Sequence, residues 1–281
     1  MDKRISIGID HCSIFNRELA TSTDIFFALG FRGDGNCDSL SEKITSAFVP
    51  SCRFVFDNAY IECVQFPEAL GEFYYFLHSP AAVHLMTNLT PNAEAFRAKL
   101  AENGHPDAIV DTTIREGASH GEVGGTAKFL LVPVHTDAVP DTHLAWEQHC
   151  TPELLFQPGR WQHACGAKTL EEVTVCMDDE AKAETMMATL LELDAMAEST
   201  KCPGGMRSLR VMDTASFEAE FGAKPDTSRS MYSALTFGVE SLDTVTDVLT
   251  GSNLSWKQVE DRILVNVMDA VNLVLVFKVV K

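Results

Sequence analysis

Two histidines stand in corresponding places along the chain. His11 lies 19 residues before Gly30, and His84 lies 20 residues before Gly104. Each glycine closes a stretch whose apolar residues recur at helical spacing. A strand histidine is usually a satisfied core or surface residue; finding it twice, each time before a helix of the same length, points to an internal repeat. Imidazole suits Zn, Ni, Mn, Co or Fe, and a pair of such strands could bring two ligands to one ion. Other groups invite chemistry less strongly. His135, His143 and His149 with Glu147 fall between Val134 and Cys150. Their spacing fits no ligand motif, and the segment reads as a solvated or cleft-covering loop. The run GEVGGT does not lead from a strand into a helix as a phosphate-binding loop does, so it reads as a hairpin or a mobile loop. Phe73, Tyr74, Tyr75 and Phe76, with Trp146 and Trp161, are read first as packing residues, or as the wall of a cleft for an apolar or aromatic substrate.

The elements that would position these residues repeat as well. RISIGIDHCSIF alternates like one strand, and ELATSTDIFFALGF follows as a helix. ITSAFVP, CRFVFD and AYIECVQF are strand candidates, the last two joined by a turn at Asp57-Asn58. A second copy runs from AAVHLMTNL through the helix PNAEAFRAKLAENGH to strand candidates at AIVDTTIRE, TAKFLLVPV and TPELLFQ. After a boundary near residues 159–168 the pattern returns. LEEVTVCMD is a strand candidate and EAKAETMMATLLELDAMAE a helix, whose stripe of Met186, Met187, Leu190, Leu191 and Met196 reads as core. SLRVMD and ASFEAEFG are shorter strand candidates. YSALTFGVE, SLDTVTDVLTG, WKQVEDRILVNV and LVLVFKVV give strand, helix and two further strands. The reading is thus two domains, 1–160 and 161–281, each of two modules.

Composition narrows the partners. Forty acidic residues face 22 basic ones, a formal charge of -18, with no basic block, so neither nucleic acid nor an anionic membrane surface is an expected partner. No apolar stretch approaches the roughly 20 residues of a membrane span, and the start, MDKRISIGIDH, lacks a signal-peptide pattern. Eight scattered cysteines without a CxxC pair read as free thiols of a cytoplasmic protein. Cys12 and Cys63 adjoin His11 and Glu62, and strand alternation turns them to the opposite face.

Strand-helix-strand-strand-strand modules in pairs resemble the vicinal oxygen chelate, or glyoxalase-like, superfamily, and IDHCSIFNRELATSTDIFFALGF with Tyr60-Ile61-Glu62 is similar to the opening module of its members. The resemblance implies an α+β fold of four βαβββ modules forming two half-open mixed-sheet barrels. It implies metal ligands on the first and last strands of two modules, here His11, Glu62, His84 and Glu153, with Glu62 or Glu153 as general base. TPELLFQPGRWQHACGA also resembles a segment where a histidine follows the last strand. That adds His163, with Trp161 and Tyr75, as substrate-binding candidates, although Ala164 and Cys165 depart from the pattern. In the third and fourth modules Glu172 and Val276 occupy the ligand positions and no histidine follows His163, so a second site is not expected. The activity implied is metal-dependent isomerisation, lyase chemistry or hydrolysis of a small molecule with vicinal oxygens. Ring-cleaving dioxygenation and metal-free sequestration of a small molecule are the alternatives, and a homodimer is possible for such modules.

Overall fold

A glycine breaks the first apolar run in two. In the computed structural model, which describes residues 1–35, 51–65, 81–120, 123–139, 143–156 and 162–280, β1 (Asp2–Ile7) and β2 (Ile9–Asn16) lie in different sheets on either side of Gly8. A Cβ on Gly8 would stand 2.6 Å from Ser199 Cβ, while its N–H donates to Asp194 Oδ1 at 3.1 Å. Only a residue without a side chain fits this crossing.

Among the described residues the first sheet has eight strands. Module one contributes β2, helix α1 (Ala20–Ala28), β3 (Asp34–Gly35), β4 (Ser51–Val55) and β5 (Tyr60–Gln65). Module two contributes β6 (Ala82–Leu89), α2 (Ala93–Glu102), β7 (Asp111–His120), β8 (Val123–Val134) and β9 (His143–His149). Their order is β3-β4-β5-β2-β6-β9-β8-β7. In both modules the last strand runs parallel to the first, and the two modules join through the antiparallel pair β2–β6, with His11 opposite Thr87. Of GEVGGT, Val123, Gly124 and Gly125 begin β8 and pair with the end of β7; Gly121 and Glu122 lie outside the described residues.

The second sheet has seven strands: β10 (Ala167–Cys176), β11 (Arg207–Met212), β12 (Tyr232–Val239), β13 (Ser255–Val259), β14 (Arg262–Asn266) and β15 (Val274–Val279), with β1 added. The fourth module is complete, with α5 (Leu242–Thr250) after β12. The third is not. It has β10, α3 (Glu180–Ala197) and β11, and β1 lies antiparallel to β11 as its outer strand. ASFEAEFG is a helix, α4 (Thr214–Phe221), and not a strand. Phe217 and Phe221 would share a face in either form, and the Asp213 side chain accepting from Ser216 N–H caps the helix, a contact of about 1 kcal/mol. α6 (Met268–Val271) is a single turn before β15.

One continuous core joins both sheets: Ile14, Phe26, Phe54 and Trp146 from the first meet Val173, Met186, Leu190, Phe237 and Phe277 from the second. Leu191 of the expected methionine stripe faces solvent, 43% exposed. Among the described residues six thiols are free, five of them buried. Cys52, expected as a free thiol, is disulfide-bonded. Among the described residues no helix is long and apolar enough to cross a membrane.

Candidate functional site

HLAWEQH, expected in a loop, forms β9, and its period of two decides which residues enter the site. Leu144 and Trp146 join the common core, so Ala145, Glu147 and His149 face the other side of the sheet. There they meet β2. A register shift between Ile9 and His11 marks a bulge, which breaks strict alternation and lets the consecutive residues Asp10 and His11 serve one cluster. Cys12 and Cys63 point into the core as expected, and burial pushes both thiols up to about 12.

Asp10 is the centre of the cluster. Its Oδ2 accepts from His11 Nδ1 at 2.7 Å and its Oδ1 from His149 Nε2 at 2.9 Å. Glu147 Oε1 lies 3.3 Å from the same His149 nitrogen. Tyr60 stacks on His11, ring centroids 4.1 Å apart, and its hydroxyl stands 3.5 Å from both His11 Nε2 and Glu147 Oε1. All five side chains are more than nine-tenths buried. Burial alone would raise the Asp10 carboxyl, but His149 and His11 outweigh it and hold it well below the usual range. Burial would lower His149, yet Asp10 and Glu147 raise it to about 9. Glu147 is raised, chiefly by burial, as is the Tyr60 phenol.

One ligand atom from each of Asp10, His11 and Glu147 lies within 4.8 Å of the others. Bonds of about 2.0–2.2 Å to a common ion separate ligand atoms by roughly 3–4.5 Å, so this donor set fits a divalent transition metal with small adjustments. Asp10 holds the His11 ring through Nδ1; with an ion at Nε2, His11 and Glu147 would be the direct donors and Asp10 the carboxylate behind the histidine, an arrangement common at metal sites.

The expected residues are distributed unevenly about this centre. His11 is in it. Glu62 is buried on β5, opposite Arg53 and two residues beyond Tyr60, on the face of the cluster by alternation. His84 is buried on β6 and packs near Phe15. Glu153 is not on a strand: TPELLFQ is instead a 3-10 turn, Pro152–Leu154, on which Glu153 is exposed. His163 lies in the core beside Phe31 and Phe56, accepting from Arg32 N–H at Nδ1 and donating from Nε2 to the Val55 carbonyl. Burial lowers it to about 4. Tyr75 and Trp161 lie outside the described residues, as does the strand candidate ITSAFVP. Two imidazoles and two carboxylates do converge, but the set is Asp10, His11, Glu147 and His149, which shares only His11 with the expected four. A cavity of about 500 Å³ reaches the cluster at Asp10 and His149, with Thr90, Glu153 and Cys202 also in its wall.

No family model and no curated protein matches the chain. Solved structures do. A hypothetical protein from Staphylococcus aureus is 11% identical with a TM-score of 0.58, covering 98% of this chain and 100% of its own. The 2,3-dioxygenase LapB from Pseudomonas sp. KL28 is 9% identical, TM-score 0.53, covering 97% and 92%. The Mn(II)-bound glyoxalase from Novosphingobium aromaticivorans is 8% identical, TM-score 0.50, covering 98% and 83%. The chain has the vicinal oxygen chelate fold. Paired βαβββ modules are its unit, and the first sheet carries two of them with the buried cluster on one face. At these identities the likeness is one of fold, and a fold of this kind hosts many reactions.

Proposed function

We propose that the chain is a metal-dependent enzyme acting on a small organic molecule with two adjacent oxygens. The buried Asp10–His11–Glu147 group beside a cavity carries this reading. A divalent ion bound there would act as a Lewis acid on substrate oxygens. The chain's residues do the rest. Asp10 holds the His11 ring, His149 donates to Asp10 with Glu147 close by, and the Tyr60 ring covers His11 and keeps water off the centre. Glu62, on the same face, is the carboxylate placed to take or return a substrate proton. Isomerase or lyase chemistry fits such a set. Ring-cleaving dioxygenation would draw on His11, His149 and Glu147.

A second reading has its own observation. Asp10 already accepts from both histidines at 2.7 and 2.9 Å, as expected if the cluster is self-satisfied and the protein sequesters a small molecule without metal. Elemental analysis of protein purified without chelator separates the two. Near one equivalent of a transition metal, lost in both His11→Gln and Glu147→Gln, supports the enzyme. No metal, even after reconstitution with Zn, Mn, Ni or Fe(II), leaves the sequestering protein.

A further inference from the structure

The cavity beside the cluster has a charge pattern of its own. Its deep wall is formed by Asp10 and His149, both buried; Asp57 and Glu153, both exposed, stand at its mouth. Among the described residues no lysine or arginine lines it. Arg207 lies behind the wall, its guanidinium turned onto the carbonyls of Gly204, Met206 and Asn58. Three carboxylates, Asp10, Asp57 and Glu153, therefore line the cavity. The remaining wall is largely apolar, with Leu89, Pro91 and Phe156. His149, one ring nitrogen on Asp10 and Glu147, has no hydrogen-bond partner for its Nδ1 among the described residues. A buried ring nitrogen without a partner is costly, and a ligand filling the cavity could supply one.

We propose that this cavity takes a small organic cation, an amine attached to a body of about one ring, with the ammonium received by Glu153 and Asp57 and the opposite, polar end turned to His149. The volume suits a ligand of that size. Carboxylate and phosphate compounds are disfavoured, because Asp10, Asp57 and Glu153 offer them like charge. This inference deepens the enzyme reading by naming the charge class of the substrate, and it holds equally for a metal-free binding protein.

Three probes with the same vicinal diol and different charge test it: catechol, 3,4-dihydroxybenzoate and 2-(3,4-dihydroxyphenyl)ethylamine. Each is titrated calorimetrically into chelator-treated protein, wild type and the variants Glu153→Gln, Asp57→Asn and both together, all at exposed positions. The amine is expected to bind about tenfold more tightly than catechol, with the benzoate weakest. The double variant is expected to bring amine and catechol to within about threefold, and added salt to narrow the gap in wild type. Equal or tighter binding of the benzoate, an amine preference unchanged in the double variant, or no binding of any probe at millimolar concentration would overturn the proposal. Because the titration is run without metal, a protein that fails to hold metal can still pass it. Likewise, a protein that holds metal can still fail it.

Discussion

The two sheets share a plan and differ on the face turned away from their common core. On the first, that face carries Asp10, His11, Tyr60, Glu147 and His149, with an apolar patch of Val55, Phe129, Leu154 and Leu155 beside them. On the second, the equivalent face is closed by α4: Phe217 and Phe221 pack onto Ala234, Leu264, Val274 and Val276. Its charged side chains sit instead at the edge, where Arg210 bridges Asp2 and Glu220. One architecture therefore serves either a buried ionisable cluster or an oily layer. The lid decides which, since a helix laid across the sheet leaves no room for a cavity.

The comparison breaks most visibly if a carboxylate is moved to the oily face. Val276→Asp would bury a charge among aliphatic side chains with no counter-ion, and a loss above about 4 kcal/mol in urea denaturation is expected. A near-neutral result would mean that this face opens to water. Removing the central carboxylate of the polar face comes next. Asp10→Asn leaves His149 and His11 without their anion, and about 3 kcal/mol should be lost, with metal affinity falling roughly 10- to 100-fold. Unchanged affinity would show that Asp10 does not position His11.

A smaller, graded effect compares two buried histidines. His149 has carboxylates beside it; His163 has only backbone partners and is held neutral, with a folded value of about 4 against an ordinary 6.5. Its contribution to stability is fully present above pH 6.5 and is lost as pH falls toward 4, up to about 3 kcal/mol. Stability measured across that window should fall less in His163→Gln than in wild type, and histidine NMR signals should keep His163 neutral at pH 5.5. An imidazolium signal from His163 at that pH would contradict the burial argument.

Most of the fold was legible because its strands are apolar runs broken by turns and several helices open on a capping side chain, as at Asn92 and Asp179. What misled is local. RISIGIDHCSIF alternates without interruption, so nothing in the pattern announces that Gly8 sends its two halves to different sheets. The site was legible at His11. Asp10 was hidden by the bulge, since alternation assigns neighbours of a facing residue to the opposite side. His149 and Glu147 could have been found, because HLAWEQH alternates cleanly; the nearby proline and aspartates made it look like a loop. Glu153 was read into a strand that in fact ends four residues earlier, at His149.

The crossing at Gly8 also sets an order of assembly. β1 pairs with β11, so roughly 200 residues separate Ile7 from its partner Arg207. At synthesis rates of about 5–20 residues per second, the strand waits about 10–40 s on the ribosome while the first sheet can already close. A bare strand is an aggregation hazard during such a wait. Asp2, Lys3 and Arg4 make it a charged one, suited both to the delay and to the sheet edge where it finally rests.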